Sequence, residues 1–223
     1  MTSKIQQIPV EQAAGYTINQ TFFRHDDPLS EDLLIILPGR GYTTSAPLLW
    51  YLRKAATELR CDVLSVAYSF HVAMDKGKGK GKGSFGGMNL DSLNDEVTRS
   101  VDSMLAQQSY TRLFIAGKSL GTPLAVAQAK RLETVDALLL QTPILNCVAD
   151  TGDIPTLAVI GTADAAYDRD TVAADKDRPH VKWLVYEGLD HGLEAGQDWQ
   201  TSLERLKDIT AACTDFLSAQ MMV

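Results

Sequence analysis

Six short apolar runs bounded by turn residues recur along the chain, at Asp32 to Leu37, Asp62 to Tyr68, Arg112 to Ala116, Asp136 to Leu140, Thr156 to Ile160 and Val181 to Tyr186. Between and after them lie stretches whose apolar residues return at helical intervals, at Ala46 to Leu59, Leu90 to Leu105, Pro123 to Leu132 and Asp198 to Leu217. Runs this short and this apolar read as strands buried on both faces. Parallel neighbours need long crossovers, and a helix supplies one, so the alternation predicts an α/β domain with a mainly parallel, twisted sheet and helices on both faces. Residues 14 to 24 are expected to add an antiparallel strand at one edge.

Composition narrows the function classes. At 223 residues with 45% hydrophobic and 22% charged, the chain can bury a sizeable core as one domain, and it carries no internal repeat or Pro/Ser-rich linker that would mark a second. Its 28 acidic residues exceed its 21 basic ones for a net charge of −7, which argues against nucleic acid and anionic membranes as partners. Cys61, Cys147 and Cys213 are odd in number and far apart, unlike a disulfide framework or a zinc site. The start, MTSKIQQIPVEQAAG, lacks the apolar segment of a secretory signal, and no apolar run approaches the ~18 residues of a membrane span. A cytoplasmic protein is expected.

Chemistry concentrates at Gly117-Lys118-Ser119-Leu120-Gly121, between an apolar run and a helical stretch. A Gly-x-Ser-x-Gly turn at that junction presents a serine at the carboxyl end of a strand, and the helix behind it aims backbone N–H groups at the same spot. The rival reading of Gly117-Lys118-Ser119 as a phosphate-binding loop fails, because that loop needs glycine where Arg112 stands. A serine hydroxyl needs a base, and the base needs an acid to hold its tautomer. Of four histidines, His25 lies in the amino-terminal edge region, His71 beside a Lys/Gly-rich segment and His180 before a strand, whereas His191 lies just past the carboxyl end of one. The acid candidate is Asp164, just beyond the strand Thr156 to Ile160 and its Gly turn, with Asp168, Asp170 and Asp190 as substitutes. In a parallel sheet the carboxyl ends of all strands open on one rim, so Ser119, Asp164 and His191 can meet there.

With these motifs in the order Ser, Asp, His, the chain from about residue 30 to 219 resembles the α/β-hydrolase superfamily. Leu37-Pro-Gly-Arg-Gly-Tyr42 looks like that family's His-Gly-x-Gly oxyanion turn with Pro38 in place of His. The resemblance implies Ser119 as nucleophile, Asp164 as acid, His191 as base and the backbone N–H groups of Arg40 and Leu120 as oxyanion hole. The small size is similar to dienelactone-hydrolase-like proteins and small carboxylesterases, although dienelactone hydrolases proper use Cys where this chain has Ser119. The implied activity is hydrolysis of an ester or thioester of a small acyl substrate through an acyl-enzyme, with no metal and no cofactor. The other reading is a non-catalytic binding or scaffold protein on the same fold.

Around this centre, Arg40, Tyr42, Trp50, Phe85, Met88, Ile144 and Leu145 are candidate substrate contacts, the apolar ones reading equally as core, and Arg40 equally as an ion-pair partner. Lys118 is expected to be exposed. The segment at about 75–88, with Lys76, Lys78, Lys80 and Lys82 alternating with glycine, reads either as a flap that draws in anionic substrates or as a solvated loop that touches no ligand.

Overall fold

All six apolar runs form strands, and two more precede them, in the computed structural model, which describes residues 3–71 and 89–222. The strands are β1 (Lys4–Glu11), β2 (Thr17–Arg24), β3 (Asp32–Leu37), β4 (Asp62–Ser65), β5 (Arg112–Lys118), β6 (Ala137–Gln141), β7 (Thr156–Gly161) and β8 (Val181–Tyr186). They form one sheet in the order β1-β2-β4-β3-β5-β6-β7-β8. From β4 to β8 all neighbours are parallel, while β2 is antiparallel to both β1 and β4. The expected strand within residues 14–24 is therefore present as β2, but it is second from the edge, and β1 is the outer strand. β1 escapes notice because only Ile8 and Val10 of its eight residues are buried and Pro9 interrupts it, a residue that sheets accept at an edge.

Strand β4 stops at Ser65, short of the expected Tyr68. Beyond it the side chain of Gln20 takes the place of a backbone partner, accepting from Ala67 N–H at 2.6 Å and donating to Ala67 O at 3.1 Å.

The period of two along the strands divides the core into two layers. Leu33, Ile35 and Leu37 of β3 and Leu113 and Ile115 of β5 face one layer, while Leu34, Ile36, Phe114 and Ala116 face the other. Helices α2 (Leu90–Leu105) and α3 (Gly121–Leu132) cover the first with Leu93, Val97, Val101, Leu124, Ala125 and Ala129. The second is covered by α1 (Pro47–Glu58) with Leu49, Leu52 and Ala56, and by α5 (Trp199–Met221) with Ile209, Cys213 and Leu217. Helix α4 (Arg169–Ala174) is a single short turn between β7 and β8 with no buried residue. No helix among the described residues is long and apolar enough to cross a membrane.

What this topology does for function lies at its reversal. From β3 the chain moves to β4 on one side, then returns to place β5 on the other, so the turns leaving β3 and β5 part in opposite directions and open a crevice at the carboxyl rim. Leu37 at the end of β3 is in register with Gly117 of β5.

At that crevice a β-carbon on Gly121 would stand 2.1 Å from the backbone oxygen of Leu37 and 2.8 Å from that of Pro38. Neither neighbour is a flexible side chain, so Gly121→Ala must push α3 away from β3. We expect a loss of about 3 kcal/mol, at the upper end of overpacking costs, read as a lower urea midpoint with unchanged slope.

Candidate active site

Strand β5 ends at Lys118, α3 begins at Gly121, and Ser119 makes the turn between them with φ +51. The two glycines of the motif are required by space. A β-carbon at Gly117 would meet Gly121 O at 2.4 Å, as the one at Gly121 would meet Leu37. Left-handed backbone at a residue with a β-carbon costs about 1 to 2 kcal/mol. Here it is held by Ser119 N–H donating to Gln141 O at 2.9 Å and by Thr122, whose N–H and hydroxyl donate to Ser119 O at 2.8 and 2.7 Å.

The hydroxyl of Ser119 meets Nε2 of His191 at 2.7 Å, and Nδ1 of the same ring meets Oδ2 of Asp164 at 2.8 Å. A carboxylate oxygen only accepts, so the ring proton sits on Nδ1 and Nε2 is left to accept from Ser119. Asp164 is buried, and its Oδ1 accepts the Ala166 N–H at 2.8 Å, which orients the carboxylate toward the ring. The alternative acids are engaged elsewhere. Asp168 caps α4 by accepting from Asp170 and Thr171 N–H, Asp170 lies in the first turn of that helix, and Asp190 accepts from Gly192 and Glu194 N–H within its own turn. His25 is buried against Asp62, and His180 lies 3.8 Å from Asp153.

The three side chains open on a cavity of about 610 Å³. Its walls are the turn Gly39 to Tyr42, the elbow Lys118 to Leu120, Ile144, Asp164 to Ala166, and His191 with Gly192. Leu120 is the N-cap of α3, so its amide is among the N–H groups that a helix start leaves without an intrahelical acceptor. Arg40 stands across the cavity in the turn after β3. Among the described residues no group of three His, Cys, Asp or Glu side chains could hold a metal ion.

No family model and no curated protein matches the sequence. Solved structures do match along the whole chain. Est1E from Butyrivibrio proteoclasticus is 14% identical, with 97% of this chain and 99% of that one covered at TM-score 0.72. An α/β serine hydrolase without lid from Xanthomonas campestris is 16% identical, with 98% and 96% covered at TM-score 0.68. Dienelactone hydrolase from Anabaena variabilis is 13% identical, with 98% and 99% covered at TM-score 0.70. The chain has the α/β-hydrolase fold.

Within this α/β-hydrolase fold the candidate substrate contacts divide. Arg40, Tyr42 and Ile144 line the cavity. Trp50 does not: it sits off the buried stripe of α1, half-exposed, edge-on to Tyr51 and beneath the cations of Arg53 and Lys54 at 5.4 and 5.2 Å. Leu145 is 66% exposed and borders a separate cavity of about 210 Å³ that shares only Ile144 and Ala166 with the first. Phe85, Met88 and the four lysines of the Lys/Gly segment lie outside the described residues.

Lys118 corrects the sequence reading most sharply. It is 1% exposed, not solvent-facing, and its Nζ donates to Thr142 Oγ1 at 2.5 Å and to the backbone oxygen of His191 at 2.6 Å. The strand continues two residues further than the apolar run, through Gly117 and Lys118, and a charged residue type gives no hint of burial. Two other residues also went unassigned. His71 places Nε2 at 3.1 Å from Gly39 O and 3.0 Å from Arg40 O, so that nitrogen carries a proton shared between two carbonyls. The Tyr68 hydroxyl donates to Pro38 O at 3.1 Å. Together they brace the turn that carries the Arg40 amide, and only their position after β4 could have hinted at it.

Burial pushes the Tyr42 phenol up to about 12 and the Lys118 ammonium down to about 8 from an ordinary 10.5, with Asp164 and Asp190 pulling the latter back up. The sign of the Lys118 effect on stability follows. Below pH 8 the amine is charged in folded and unfolded chains alike. Between about pH 8 and 10.5 the unfolded chain keeps the proton that the folded chain has released, so this residue makes stability rise with pH. The full rise is on the order of 3 kcal/mol. Lys118→Met removes it, so the difference in urea-unfolding free energy between wild type and variant should shift toward wild type from pH 7 to pH 10, and a difference independent of pH would contradict the buried ammonium.

Proposed function

We propose that the protein is a serine hydrolase that cleaves an ester or thioester of a small acyl substrate. The observation that carries this reading is the chain of contacts from Ser119 Oγ to His191 Nε2 at 2.7 Å and from Nδ1 to Asp164 at 2.8 Å, opening on the cavity of about 610 Å³. The esterases and serine hydrolases among its structural neighbours support it.

In the first half-reaction His191 Nε2 takes the Ser119 proton while Oγ bonds to the substrate's carbonyl carbon. The carbonyl electron pair moves onto oxygen, which the backbone N–H groups of Arg40 and Leu120 receive. Asp164 stays ionised and stabilises the imidazolium. The tetrahedral intermediate collapses, the bond to the alcohol or thiol breaks, and His191 returns its proton to that leaving group. Water then enters, gives a proton to His191, bonds to the acyl carbon and releases the acid as Ser119 regains its proton. These steps draw only on protein groups and water. Tyr42 and Ile144 provide an apolar wall for the substrate, and Arg40 a cation that suits a carboxylate on it. The three free thiols, Cys61, Cys147 and Cys213, favour a reducing compartment, and on that ground we place the protein in the cytoplasm.

Ser119→Ala should leave the thermal midpoint within a few degrees, abolish covalent labelling by a fluorophosphonate, and lower kcat on short p-nitrophenyl esters by about 10⁴-fold or more. Asp164→Asn should cost about 10³- to 10⁴-fold through the wrong imidazole tautomer, against less than about tenfold for Asp168→Asn or Asp190→Asn. Full esterase activity in the Ser119 variant would sink the reading, and a larger loss at Asp168 or Asp190 would move the acid.

A further inference from the structure

Lys118 raises a question that stability does not answer. An ammonium taken out of water is a cost that a methionine or leucine at the same place would avoid, and such replacements often leave a protein equally stable or more so. Its two partners suggest what is gained. Thr142 is the first residue after β6, and His191 is in the turn after β8, so one side chain at the end of β5 joins three strand ends at the rim of the cavity.

The turn around His191 has few other ties of its own. Asp190 N–H donates to Glu194 O and Leu193 N–H to Asp190 O, while Gly192 and Glu194 N–H donate to the Asp190 carboxylate, all within the turn. Outside it, Leu189 O accepts from Ala163 N–H at 3.0 Å, and Leu189 and Leu193 are buried in the second core layer. Among the described residues, the only hydrogen bond from outside this turn to the main chain of His191 is the one from Lys118. The imidazole is 46% exposed at its rim position, so its neighbours do not enclose it on every side. Thr142 is itself fixed, with φ +47 and its N–H donating to Val159 O at 2.7 Å, which makes it a firm anchor for the other end of the tie.

We propose that Lys118 is a positioning residue, whose hydrogen bonds to Thr142 Oγ1 and to the carbonyl of His191 hold the histidine turn in the place where Nε2 can take the Ser119 proton. The role rests on the serine hydrolase reading. It is distinct from the oxyanion hole and from substrate contact, because the side chain acts on the backbone of His191. A loosened imidazole misplaced by about 1 Å costs on the order of 10²-fold in rate. Substrate binding against Tyr42, Ile144 and Arg40 is left largely as it was.

The test uses the full chain with a neutral p-nitrophenyl ester and a fluorophosphonate. Lys118→Met should lower kcat and the rate of Ser119 labelling together by about 10²-fold, with KM within about threefold and a urea midpoint at pH 7 no lower than that of wild type. Thr142→Val should show the same pattern at about tenfold, and Thr142→Ser, which keeps the hydroxyl, should return to within about twofold of wild type. If Lys118→Met fails to fold, the Thr142 pair decides. A folded Lys118→Met with wild-type kcat and labelling rate would overturn the role, as would equal losses in Thr142→Val and Thr142→Ser, or a loss confined to KM. A wild type that neither labels nor hydrolyses any ester would instead overturn the serine hydrolase reading, and the positioning role with it.

Discussion

The approach of Gly121 to the carbonyl of Leu37 is the constraint on which the site depends, since a single β-carbon there would stand 2.1 Å from that oxygen. It draws the start of α3 against the end of β3 and leaves Ser119 no course but a left-handed turn. The same approach sets the helix amide of Leu120 and the turn Gly39 to Tyr42 on one cavity. Without glycine at 117 and 121 the elbow would open, and the serine, the helix start and the turn after β3 would lose their common focus.

Around that elbow the charged groups form a graded series. Asp164 is buried and accepts from a backbone amide as well as from His191, so it can hold the ring without needing solvent. His191 is half-exposed at the rim of the cavity. Lys118 is buried beneath both, near Asp164 and Asp190, whose charges offset part of its desolvation. Its ammonium also lies 5.2 Å from the ring centre of Tyr42, whose hydroxyl accepts the Leu48 N–H at 2.9 Å, so the same residues that wall the cavity are tied to the first turn of α1.

Periodicity carried the central sheet well. The runs of β3 and β8 and the helix α2 are bounded where their apolar spacing ends, although only β3 is buried at every residue as a strand covered on both faces should be, while β8 is the outer strand and has no fully buried residue. It carried the amino-terminal edge poorly. β1 has two buried side chains, too few to separate a strand from a polar leader. Helical spacing likewise placed Trp50 on α1 but not the direction of its ring, which depends on how α1 rotates to bury Leu49, Leu52 and Ala56.

For the chemistry, the order of three motifs and their location after apolar runs determined that a serine, an aspartate and a histidine would reach one rim, because all parallel strands end on the same side. Gly-x-Ser-x-Gly likewise determined a strand-to-helix turn, since spacing alone shows where a β-carbon is missing. Which aspartate meets His191 was decided by tertiary structure, for Asp164, Asp168 and Asp190 differ in what their oxygens accept and not in residue type. So was the burial of Lys118, and the bracing of the turn after β3 by Tyr68 and His71 from the segment that follows the neighbouring β4. Each of these is a contact between residues distant along the chain, between 24 and 73 positions apart for the two bonds of Lys118. Local pattern encodes where a strand ends, but only the packed sheet decides which strand ends become neighbours and what their side chains touch.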